Sequence, residues 1–151
     1  MFLNNNAAEK ERTAFWRDYE SKIGETILAY CLGKCIKGSK DLNPPLWGLL
    51  IVSSGGFRFH HFPHENWFQA MNRASFGGEI PQEKTLYVSK ERLLWADIKT
   101  EKSWWKSLLF PEPPLFLVRY FTEDGIEAEL VAESDKKAAK LVEHIHELLL
   151  Q

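Results

Sequence analysis

The residues with the most chemistry to offer stand together at His60-His61-Phe62-Pro63-His64-Glu65. Neutral imidazole and carboxylate both ligate transition metals, so this run raises a small metal-dependent enzyme as one reading. The spacing works against it. On a strand His60 and His61 point to opposite faces and cannot join one site. His61 and His64 converge only through a turn, and His144 and His146, two apart on a helix, stand about 200° around its axis. The ordinary reading is a polar strand end, with no metal and no cofactor.

Nucleophilic catalysis needs a serine or cysteine with a base and an orienting group. Ser53-Ser54-Gly55-Gly56 is turn material, but the Gly-x-Ser-x-Gly spacing of a nucleophile elbow is absent. No Walker pattern supplies a phosphate cradle, and Gly77-Gly78 stands alone. Cys31 and Cys35 have three residues between them, unlike a redox or zinc pair. Four apart on one strand they share a face, with Cα atoms ~13 Å apart, too far for a disulfide. They are expected to be reduced packing residues, and the chain is expected not to be an enzyme.

Cations come next. Lys34, Lys37 and Lys40 recur every third residue in a stretch read as a loop, and Arg58 and His60 share one face of a following strand. Lysine and arginine hold phosphate through charge-assisted hydrogen bonds, so these five residues form a candidate lipid-headgroup site. A solvated loop whose lysines keep an edge from pairing explains them as well.

Aromatic residues give the strongest lead. They make up 13% of 151 residues, with six tryptophans. Trp104 and Trp105 lie between Lys102 and Lys106 and lead into Leu108-Leu109-Phe110, a composition suited to a partner or membrane surface. If that stretch is a strand, one tryptophan is core and the other exposed. Phe15, Trp16 and Tyr19 form a stripe on an N-terminal helix that also needs a hydrophobic site. These five are the candidate partner-binding residues, for another protein or a second copy of the chain, and the helix stripe has as its alternative site the barrel of its own chain. Trp47 and Trp95 lie in β runs and are read as core.

These groups must be positioned by one domain's worth of chain. Nineteen basic and twenty-one acidic residues leave a net charge of −2, which excludes a simple basic nucleic-acid binder and an acidic disordered chain. Charge is uneven: residues 1–50, 51–110 and 111–151 sum to about +1, +2 and −5. No signal peptide or bilayer-length apolar run is visible, and a cytoplasmic location is expected.

Residues 7–22 read as a helix, ended at Gly24. The period then changes to two over 26–32, and 33–45 reads as a loop rich in Gly, Asn and Pro. Leu46–Ser53 and Phe57–Phe62 form a hairpin about the Ser-Ser-Gly-Gly turn. Residues 63–82 read as a long connection, with a short helix around Asn66–Arg73. Thr85–Ser89 and Leu93–Ile98 are short strands about a turn at Lys90–Arg92, and 99–114 is loop or broken strand. Leu115–Phe121 and Ile126–Glu133 flank an Asp-Gly turn, and Ser134 caps a helix over Asp135–Leu150. Its stripe is Ala138, Leu141, Val142, Ile145, Leu148 and Leu149.

A helix, about seven strands joined by hairpins, and a helix describe a mainly β protein: an antiparallel barrel capped by the C-terminal helix. In this order the chain resembles a pleckstrin-homology-like domain of the GRAM or bacterial branch. The resemblance covers roughly residues 24–150. It rests on Gly24-Glu25-Thr26-Ile27-Leu28, on Trp47–Val52 followed by Gly56-Phe57-Arg58-Phe59, on Leu94-Trp95-Ala96-Asp97-Ile98, and on the Phe116–Glu133 hairpin before the final helix. It implies a PH-like domain over 24–151, acting as a non-catalytic module for peptides, other domains or lipid headgroups, and leaves residues 1–23 as a helical extension outside the family's usual core. The expected role is protein–protein interaction or self-association, with headgroup binding as the alternative.

Overall fold

The computed structural model describes residues 2–61, 84–100, 104–109 and 112–151, with the side chains of 2–6, 104, 106 and 107 outside the description. Helix α1 (Phe2–Ile23) leads into β1 (Ile27–Lys37), β2 (Leu46–Ser53), β3 (Gly56–His61), β4 (Lys84–Ser89) and β5 (Leu93–Lys99). Then follow a short helix α2 (Trp104–Leu109), β6 (Leu115–Phe121), β7 (Glu127–Glu133) and α3 (Ala138–Leu149). The connection read over 63–82 and the ligand His64 lie outside the described residues.

All seven strands form one antiparallel sheet in the order β4-β3-β2-β1-β7-β6-β5. The mainly β architecture with a helix at each end is as expected, but the sheet is not closed. β4 and β5 are neighbours in sequence yet stand at opposite edges, joined by a 3-10 turn over Lys90–Arg92. At this corner Arg92 acts as a clasp. Its guanidinium donates to the carbonyls of Tyr87 in β4, at 2.8 Å, and Phe121 in β6, at 3.1 Å. Side-chain hydrogen bonds hold the two halves where no backbone ladder does.

The sheet is apolar on one face throughout, and α3 lies on that face against β5, β1, β2 and β3. Its stripe of Ala138, Leu141, Val142, Ile145 and Leu148 joins Leu50, Phe57, Phe59, Phe116 and Leu130 in the main core. The helix begins later than the sequence reading placed it. Asp135 Oδ1 accepts the Lys137 amide at 2.8 Å in the preceding turn, while the Ser134 hydroxyl is drawn instead to the Leu32 carbonyl at 3.1 Å.

A second, smaller core lies on the opposite face. Phe15 and Tyr19 of α1 are buried against Leu49 and Ile51 of β2, with Trp16, Ile23 and Ile27 around them. Strand β2 is therefore buried on both sides, which its unbroken apolar run requires.

Three sequence expectations are corrected. β1 does not end at residue 32 but runs to Lys37. Gly33 does not break it, because the ladder to β2 continues through it opposite Gly48, and a Cβ there would meet Leu50 Cδ1 at 2.7 Å. The segment holding Trp104 and Trp105 is helical. Trp47 and Trp95 are not core: they are 55% and 38% exposed.

Candidate functional site

Alternation along β1 turns Ala29, Cys31, Gly33 and Cys35 toward the main core and Tyr30, Leu32 and Lys34 outward. Outward, β1 lies just beyond the cover of α1. Glu20 of α1 accepts the Ile27 amide at the start of the strand at 2.9 Å, and farther along Trp16 brings its ring to 4.0 Å from that of Tyr30. Leu32 stands beside Leu49, and Lys34 between Trp47 on β2 and Glu133 on β7. The result is an apolar strip: Tyr30 38% exposed, Leu32 54% and Trp47 55%, with Leu28 and Ile36 (38% and 40%) at the two bulges of β1. The sequence reading missed it. Residues 26–32 are apolar in both parities, so nothing local shows that one face stays open.

The candidate partner residues divide. Phe15 and Tyr19 face the chain's own β2, so α1 finds its hydrophobic site within the chain. Trp16 is half-buried at the rim of the strip. Trp105 is exposed on α2 with Leu108 and Leu109, three and four positions on and hence on the same helix face. The side chain of Trp104 lies outside the described residues.

The five candidate headgroup ligands do not converge. Arg58 donates to Glu25 Oε2 at 2.8 Å, and its guanidinium lies 4.0 Å from the centre of the Tyr87 ring. His60 shares a 2.9 Å hydrogen bond with the Tyr19 hydroxyl, which ties α1 to β3. Lys34 projects from mid-strand on the outer face. Lys37 and Lys40 instead line a cleft of about 1310 Å³ at the open end of the sheet. There Lys37 pairs with Glu129 at 3.6 Å and Arg119 with the same carboxylate at 2.9 Å. The hydrogen bond from Arg119 holds the Glu129 carboxyl below its ordinary range. Asp41, Glu123, Asp124 and Glu127 also line this cleft, so carboxylates outnumber cations and the field does not favour phosphate.

The nucleophile candidates are occupied as well. Ser53 is fully buried, and its hydroxyl donates to the Glu25 carboxylate. His61 Nδ1 bonds the Trp47 carbonyl. Among the described residues no group of three or more His, Cys, Asp and Glu could hold a metal ion. Both cysteines are buried and free, as expected for reduced packing.

Burial pushes both thiols from 9.0 up to about 11, so neither is a thiolate near neutral pH. Since the folded values are raised, both stabilise the fold fully below pH 9.0, and this is lost as pH rises toward about 11. Alkylation with iodoacetamide at pH 8 should therefore track global unfolding. Labelling of the folded protein at the rate of free cysteine would show the thiols to be accessible.

The chain matches none of the known protein-family models and no curated protein.

Proposed function

We propose that the chain is a non-catalytic, PH-like interaction module that docks a protein partner through the outward face of β1 and β2. The observation that carries this reading is the strip of Tyr30, Leu32 and Trp47, extended by Leu28 and Ile36, left uncovered beside α1. Water-exposed apolar area of this kind, contiguous and rimmed by charge, is what protein interfaces are built from. The PH-like part is supported by the antiparallel order, the seven strands and the α3 helix packed across both halves of the sheet. The non-catalytic part is supported by the internal hydrogen bonds that occupy Ser53, His60 and His61. Two buried free thiols fit a reducing, cytoplasmic compartment. Headgroup binding has less behind it, because Lys37, Arg58 and Arg119 each face a carboxylate.

The test is photo-crosslinking in the producing cell, with a benzophenone side chain at position 32 or 47 and a control at Lys140, which is exposed on α3. Adducts are expected from 32 and 47 and not from 140. Adducts from none of them, or equally from all three, would overturn the reading.

A further inference from the structure

Resting on that docking face, we infer that its occupant is a second copy of this chain, related by a two-fold axis that sets Lys34 of each copy against Glu133 of the other. In a two-fold interface residue i meets j while j meets i, so one cation and one carboxylate on the same face can pair twice across the axis. Lys34 and Glu133 stand opposite one another in register across β1 and β7. Neither makes an ion pair or side-chain hydrogen bond among the described residues, whereas nearby Lys37 and Arg119 are both taken by Glu129. The strip thus carries one cation and one carboxylate, side by side and unspent, at the rim of its apolar centre.

Area agrees. Leu28, Tyr30, Leu32, Ile36 and Trp47 together expose roughly 450 Å², taking about 200 Å² for a large side chain in full exposure. In a homodimer interface about two-thirds apolar this implies ~700 Å² per partner, close to the ~800 Å² of a standard interface. Trp47 and Leu32 are the anchors, as the most exposed members of the strip.

Sedimentation equilibrium on the full chain tests the inference. A species of twice 17.5 kDa is expected at micromolar concentration. Leu32→Asp should raise the dimer dissociation constant about a hundredfold, since the change enters the interface twice. Lys34→Glu and Glu133→Lys should each weaken it about tenfold, and the two together should restore it to within about threefold. Trp47→Ser gives a second probe, and the thermal midpoint of every variant verifies that it folds. A monomer at all concentrations overturns the inference, as does a dimer indifferent to Leu32→Asp or a charge swap that fails to restore association. A monomer that crosslinks from position 32 to a different polypeptide refutes self-association and leaves the docking face standing. A dimer without crosslinks from 32 or 47 refutes both.

Discussion

Glu25→Ala is expected to destabilise the fold by about 3 kcal/mol and lower the thermal midpoint by roughly 10 °C. Glu25 sits between α1 and β1 and ties β2 to β3. It accepts from Arg58 of β3 at 2.8 Å and from the buried hydroxyl of Ser53 at the end of β2. The two charged side chains are only 17% and 13% exposed. Arg58 also lies against the Tyr87 ring, and the Tyr87 hydroxyl donates to the Gly55 carbonyl at 3.2 Å. Removing the carboxylate leaves a guanidinium that is largely shut from water, with Nε already lacking a partner among the described residues. An unpaired, poorly hydrated charge costs far more than the pair itself contributes. Adding Arg58→Met should therefore recover part of the loss, giving a coupling of about 1 kcal/mol or more in a double-mutant cycle. Urea unfolding reads both. A Glu25→Ala variant within about 0.5 kcal/mol of the parent, or strictly additive losses, would show that the network does not hold these strands.

Gly56→Ala is the second large effect, a loss of about 3 kcal/mol or more. Gly56 opens β3 with φ at +152°, a backbone region closed to side chains. A Cβ built there would fall on the Val88 carbonyl oxygen of β4. That oxygen belongs to backbone, so it cannot turn aside as a side chain would. The strain and the collision add, and relief requires β3 and β4 to part where Gly56 stands opposite Ser89. The measurement is again urea unfolding, with amide exchange in β4 as a local readout. The largest increase in exchange is expected in Lys84–Ser89. Unchanged stability would mean that the β2–β3 turn shifts freely and that the close approach is incidental.

Much of the fold could be read from local pattern. The Ser-Ser-Gly-Gly and Asp-Gly turns fixed two hairpins, because turn chemistry depends on a few adjacent residues. The α3 stripe of Ala138, Leu141, Val142, Ile145 and Leu148 is buried as its spacing required. The α1 stripe of Phe15 and Tyr19 is buried too, and of the two sites its pattern allowed, its own chain or a neighbour, it takes its own chain. Other features had no local signal. Trp47-Gly48-Leu49-Leu50-Ile51-Val52 is apolar in both parities, so periodicity cannot say which side meets α3 and which meets α1. Gly33 has the composition of a breaker, yet the ladder that sets it opposite Gly48 of β2 keeps it in the strand. The histidine cluster drew the eye by composition, yet His60 serves Tyr19 and His61 serves a backbone carbonyl.

By itself the sequence determined the two long helices and their buried faces, most of the strands and both hairpin turns. Those properties rest on interactions within a few positions along the chain. Tertiary structure alone decided that β4 and β5 become opposite edges of one open sheet, that Arg92 bridges its halves, and that Glu25 meets Arg58. It also decided that Tyr30, Leu32 and Trp47 stay uncovered next to Lys34 and Glu133. Each of these joins residues far apart in sequence, and a face is open or covered only by virtue of what the rest of the chain places over it.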